Sequence, residues 1–172
     1  LYEDLGDYTT VKHIFDEVLA QYNEDATSAQ PMNLVLFQTA LEHLCRIHRI
    51  LRLPRGNALL VGVGGSGKQS LTKLASHVTG AETFQVTITK TYNTASLMDD
   101  LRELYKRAGH MRESVTFLFT DAEIKDEGFL EYINSVLLTG EVAGLFAKDE
   151  IMAMCGDLRP AFLVVIRIAF CG

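Results

Sequence analysis

Nine consecutive residues, Gly62-Val63-Gly64-Gly65-Ser66-Gly67-Lys68-Gln69-Ser70, place four glycines and a lysine between two apolar stretches. Glycines let backbone N–H groups converge on one point, and a helix that starts at the lysine adds the partial positive charge of its N-terminus. Such a cage binds the oxygens of a nucleotide polyphosphate, and Lys68 would reach the β- and γ-phosphates. The spacing fits the pattern Gly, four residues, Gly, Lys, then Ser or Thr, except at its last position. Gln69 stands where a hydroxyl would help to hold Mg²⁺, and Ser70 lies roughly 100° further round the helix. A glutamine carbonyl is a longer-armed, weaker ligand that can act through a water. The phosphate cradle is kept while the metal placement is weakened.

The same glycines spell Gly62-x-Gly64-x-x-Gly67, the dinucleotide fingerprint. That alternative wants an acidic residue at the end of the second strand, about 20 residues on. Glu82 has the right count but precedes the strand expected over residues 84–89, which ends Thr89-Lys90. Lys68 has no task in a dinucleotide site. A purely structural glycine turn is the third possibility.

Hydrolysis would need a carboxylate after a second apolar strand to orient Mg²⁺, and commonly a glutamate next to it to activate water. Val115-Thr116-Phe117-Leu118-Phe119 is followed by Thr120-Asp121-Ala122-Glu123. Two registers are open. Asp121 serves the metal and Ala122 fills the water slot, or Thr120 fills the metal slot and Asp121 is a shortened base. Each leaves one part missing, and Glu123 is badly placed to replace it. Asp121 is therefore the candidate catalytic and metal residue, with Gln69 as a second metal candidate.

Helices with one apolar side are expected over residues 8–22 (Val11, Ile14, Phe15, Val18, Leu19) and 34–51 (Leu34, Phe37, Leu41, Leu44, Cys45, His48). Residues 23–31 read as a polar turn, and Pro54-Arg55-Gly56-Asn57 breaks the second helix before the strand Ala58-Leu59-Leu60-Val61. Further helices are expected over 68–79, 96–108 and 127–138, and strands over 84–89, 115–119 and 163–168. Lys125-Asp126-Glu127 reads as an exposed turn and helix start. Strands alternating with helices imply a parallel sheet covered on both faces, with ligand at the strand C-termini.

A 172-residue chain with 48% apolar residues supports one globular domain. Its net charge of −6 argues against nucleic acid or an anionic membrane as the main partner. From His43 to Ala81 no acidic residue occurs, while Arg46, Arg49, Arg52, Arg55, Lys68 and Lys73 do. The field around the loop thus favours an anion, although the arginines themselves fit the wet face of a helix. Cys45, Cys155 and Cys171 lack paired metal-ligand spacing and read as reduced thiols, Cys45 near His48 as helix core. The most apolar run, residues 161–166, is cut by Arg167, so no membrane span is expected. The chain opens Leu1-Tyr2 without Met and is expected to be part of something longer.

Leu34-Val35-Leu36-Phe37, the run from Pro54 to Leu71, Phe117-Leu118-Phe119-Thr120-Asp121, and Phe129-Leu130-Glu131-Tyr132-Ile133-Asn134 with Gly140-Glu141-Val142 together resemble dynein heavy chains. The nearest likeness is to the fourth AAA+ module of the motor ring, in its axonemal form, over residues 1–150. The resemblance implies a P-loop NTPase of AAA+ type, a parallel sheet flanked by helices. Residues 1–57 would form its helical N-terminal segment and 58–172 the nucleotide-binding α/β core, with no C-terminal helical lid. It implies ATP or ADP with Mg²⁺, held by residues 62–70, with Leu34, Val35 and Leu36 beside the adenine. By family analogy the first module supplies most turnover, and this one binds nucleotide and tunes the cycle of a minus-end-directed motor. Implied partners are neighbouring AAA+ modules of the same heavy chain, dynein intermediate and light chains, and microtubules through the full-length motor. The stalk that touches microtubules emerges after this module. The implied location is the cytoplasm and cytoskeleton, in the axoneme of a cilium or flagellum. An arginine finger would come from a neighbour, so none is assigned. The chain departs from the family at Ala169-Phe170-Cys171-Gly172, where no clear polar sensor residue stands. Rival functions are a free-standing small-molecule phosphotransferase, short of phosphate-lid arginines after Asp121, and a nucleotide-free spacer.

Overall fold

A computed structural model describes residues 7–24, 31–158 and 166–171. Four strands, β1 (Ala58–Leu60), β2 (Glu82–Gln85), β3 (Val115–Thr120) and β4 (Ile166–Cys171), form one sheet in the order β1-β4-β3-β2. Every neighbouring pair is parallel. All strand C-termini therefore lie along one edge, where ligands of such sheets collect. Every residue of β3 is buried, because helices cover both faces and leave no wet side to alternate with.

One face carries α1 (Tyr8–Glu24), α2 (Gln38–Arg52) and α3 (Lys68–Val78), whose core includes Phe15, Leu41, Leu44, Ile47, Leu71 and Leu74. The other carries α4 (Thr94–Tyr105) and α5 (Gly128–Leu138), packed on Val115, Phe117 and Phe119 through Leu97, Leu101, Phe129 and Ile133. A last helix, α6 (Lys148–Leu158), was not expected from periodicity. Its Ile151 and Met152 are exposed, so it shows no apolar stripe; acidic Asp149 and Glu150 in its first turn favour its N-terminus instead.

Several boundaries move for physical reasons. Residues 34–37 form no helix: the Phe37 N–H bonds back to the Val35 carbonyl at 3.2 Å, and Leu36 is buried and Leu34 half-buried while Val35 and Phe37 are exposed. Phe37 therefore leaves the core stripe, as does exposed Ile14 of α1. The second strand pairs from Glu82 to Gln85, two residues earlier than expected, although alternating burial continues through Val86 and Ile88. The helix α4 starts early because the Asn93 side chain accepts the Ser96 backbone N–H at 3.2 Å, and it runs on as a π turn, Lys106–His110. Of the strand expected over 163–168, residues 163–165 lie outside the described residues, and β4 extends to Cys171.

Gly56 closes the turn after α2. A Cβ there would lie 1.8 Å from the Ile50 carbonyl oxygen, a backbone atom that no rotamer can move away. Gly56→Ala is expected to cost roughly 3 kcal/mol of unfolding free energy, read as a shifted urea midpoint. A loss below about 0.5 kcal/mol would contradict this packing.

Candidate functional site

The residues after β1 turn sharply into α3. Gly65 (φ 75°) and Gly67 (φ 79°) are left-handed, a region closed to most L-residues, and Gly67 sits at the N-cap of α3. Its carbonyl accepts the Leu71 N–H at 2.8 Å, so the helix begins at Lys68. A cavity of about 360 Å³ opens here, lined by Gly62 and by residues 64–70 from the loop, with Asp121 and Cys171 opposite. Cβ atoms built on Gly64 and Gly65 would meet nothing within 4 Å, so these glycines are not required by close packing. The Lys68 ammonium donates to the carbonyls of Gly62 at 2.7 Å and Val63 at 3.0 Å. It thus lies across the loop, where an anion in the cavity competes for it.

The second wall comes from the ends of β3 and β4. Asp121 is exposed and opens a 3₁₀ turn, Asp121–Glu123. Glu123 is buried and engaged: its carboxylate accepts the Thr120 N–H at 2.5 Å and the Gln85 amide at 2.8 Å. It does not line the cavity. The Cys171 thiol is buried, 3.8 Å from the Thr72 hydroxyl; burial pushes its pKa up, against the Thr72 contact and the Lys68 charge, which lower it. It therefore stays protonated at neutral pH. Lys125 donates to the carbonyls of Thr89, Lys90 and Tyr92, tying the loop after β2 to the turn that follows β3.

Most of the sequence candidates meet at this cavity: Gly62, Gly64 to Ser70, and Asp121. Val63 does not; it is 83% exposed, lines a larger cleft beside β1, and accepts from Lys68 through its carbonyl. Leu34 touches the loop rather than the cavity, its Cδ1 lying 3.6 Å from where a Cβ on Gly67 would stand. Val35 is 76% exposed and does not line the cavity. Arg46, Arg49, Arg52 and Arg55 are exposed outside the cavity. Glu82 lies at the N-terminal start of β2, far end of the sheet from the loop, and pairs with Arg107, so it offers no ribose contact. Cys171 and Thr72, 99 positions apart, were missed; no local pattern joins them.

A larger cleft of about 570 Å³ runs beside β1, between Ala40 and Ile47 of α2 and the side chains of Leu59 and Val61. The larger cleft is more apolar and shares Gly62, Ser66 and Lys68 with the smaller cavity, where further loop residues add their backbone amides. That donor set, backbone amides and one ammonium, fits a polyphosphate. For a divalent cation the cavity offers the Gln69 amide and the Asp121 carboxylate. Among the described residues no group of three or more His, Cys, Asp or Glu could hold a metal, and the three cysteines are free. No described helix is long and apolar enough to cross a membrane.

Residues 32–163 match the family described as the P-loop containing dynein motor region D4. The chain belongs to this family. Over 160 residues it is 51% identical to dynein axonemal heavy chain 5 of Mus musculus, covering 93% of this chain and 3% of that protein. It is also 51% identical over 160 residues to the dynein-1-alpha heavy chain of the flagellar inner arm I1 complex of Chlamydomonas reinhardtii, covering 92% and 3%. Dynein axonemal heavy chain 8 of Homo sapiens is 55% identical over 130 residues, 76% of this chain and 3% of the relative. The chain thus spans a few hundredths of the length of these dynein heavy chains. Its parallel α/β sheet is that of a dynein motor module of AAA+ type.

Proposed function

We propose that this D4 module binds ATP or ADP and acts as a regulatory unit of a ciliary dynein heavy chain, with little or no hydrolysis of its own. The observation that carries the proposal is the cavity between the glycine loop and the β3–β4 ends, which joins the loop and Lys68 to a wall whose one carboxylate among the described residues is Asp121, Glu123 being held elsewhere. The loop amides and Lys68 would hold the β- and γ-phosphates, and Leu34 would flank the ligand beside Gly67. Mg²⁺, when bound, would neutralise phosphate charge, with Gln69 and Asp121 holding it through water. Ala122 stands next to Asp121, and the Glu123 carboxylate is already taken up by two hydrogen bonds. With Asp121 serving the metal, no second carboxylate lines the cavity among the described residues to activate water.

In the whole polypeptide, residues 1–57 would serve as the helical entry segment and 58–172 as the core. Neighbouring AAA+ modules would contact it directly. Intermediate and light chains, and microtubules of the axoneme, would be reached through the full-length motor. Titration with ATP or ADP is expected to raise the melting temperature of the chain by several degrees at saturation, while phosphate release stays at background. Rapid turnover would sink the regulatory assignment. An unchanged melting temperature with no measurable binding would favour a structural spacer.

A further inference from the structure

Asp121 lines the cavity, yet its carboxylate makes no hydrogen bond among the described residues. Its place is therefore set by the backbone of its turn. That turn leaves the end of β3 and is closed by two backbone bonds: the Ile124 N–H donates to the Asp121 carbonyl at 3.2 Å, and the Lys125 N–H to the Glu123 carbonyl at 3.0 Å. Ile124 packs against the core of the α4–α5 face. The far end is fastened by Lys125, whose ammonium donates to the carbonyls of Thr89 at 2.9 Å, Lys90 at 2.6 Å and Tyr92 at 3.3 Å. An ammonium has three donors, and three carbonyls converge on this one.

Lys125 stands among acids, with Asp121, Asp126 and Glu127 all within four positions of it. Among the described residues it forms an ion pair with none of them, and its ammonium is spent instead on a loop more than thirty positions back in the chain. The Asp121 charge is thus left to act on a cation in the cavity. We propose that Lys125 is a positioning residue for the metal side of this site: by clamping the loop after β2 it holds the turn in which the Asp121 carboxylate lines the cavity, and so supports the Mg²⁺-dependent part of nucleotide binding. The inference rests on the nucleotide assignment above, with Mg²⁺ held by Asp121, and adds the residue that sets the geometry. Loss of the lysine charge alone works in the opposite sense, because less positive surroundings attract Mg²⁺ more. A lost Mg²⁺ advantage therefore reports position and not charge.

The test is titration of the full chain with a fluorescent ATP analogue, in excess Mg²⁺ and in EDTA. The unaltered chain is expected to bind about tenfold more tightly in Mg²⁺. Lys125→Met, its fold checked by circular dichroism, is expected to cut that advantage to about twofold or less, while its affinity in EDTA stays within about twofold of the unaltered chain. Asp121→Asn should cut the advantage equally, and the double variant should lose no more than either single one, because the lysine acts through the carboxylate. An unchanged advantage in Lys125→Met, an equal loss in both buffers, or additive losses in the double variant would overturn the inference. Equal binding of the unaltered chain in both buffers would also overturn it and leave the nucleotide assignment standing. Absence of binding in both buffers would overturn that assignment as well. Should Lys125→Met unfold, Lys125→Gln, which keeps amide donors without the charge, takes its place with the same expected direction.

Discussion

Lys68→Ala is expected to weaken nucleotide binding about 10- to 150-fold, the range of one charge-assisted hydrogen bond of about 1.5–3 kcal/mol. The size follows from the lining of the cavity, where Lys68 is the one cation among the described residues and the remaining donors are backbone amides and small polar groups. Among the described residues its ammonium meets only the Gly62 and Val63 carbonyls, both on an exposed loop that water can reach. Removing it should therefore change unfolding free energy by no more than about 0.5 kcal/mol. Calorimetric titration and urea denaturation of the same variant separate the two effects. Unchanged affinity would show that the ligand does not sit on the loop, and a large stability loss would show that Lys68 has a packing role.

The second large effect lies in the core. Phe117→Ala is expected to cost about 3–5 kcal/mol, measured as a lower urea midpoint at unchanged slope. Phe117 is fully buried in the all-buried strand β3, with ring centroids 6.0 Å from Phe84 and 5.7 Å from Phe119. The cavity left behind would be walled by Leu97, Leu101 and Ile133 from helices that the parallel sheet holds in place, so collapse around it is limited. Leu130→Ala, at a side chain 41% exposed, is the control and should cost less than about 1 kcal/mol. Equal costs at the two positions would contradict the burial described for β3. Because β3 also carries Thr120 and Asp121 at its end, the Phe117 variant should lose nucleotide binding only in step with unfolding.

Some of this molecule was legible in the chain because the relevant physics is local. A loop of contiguous glycines followed by lysine encodes its own backbone, and Gly65 and Gly67 take the left-handed conformations that such a loop requires. Long periodic segments gave α1, α3 and α5 nearly to their ends. Residues 34–37 were harder: an apolar run beside a real helix is ambiguous, and here Leu34 and Leu36 join the core from a turn that precedes the helix. The short second strand shifted because alternation reports burial, not backbone pairing, and β3 supplies partners only to Gln85.

The sequence by itself determined a glycine-rich loop of the phosphate-cradling pattern, its lysine, the missing hydroxyl at Gln69 and the family to which the chain belongs. Each of these is written in neighbouring residues or in their order. Tertiary structure alone decided that Glu123 is engaged by Gln85 and Thr120, that exposed Asp121 lines the cavity, and that Cys171, register partner of buried Thr120, lines it too. Those facts depend on strand register, which is fixed by the burial of two distant faces at once and leaves no short-range trace in the chain.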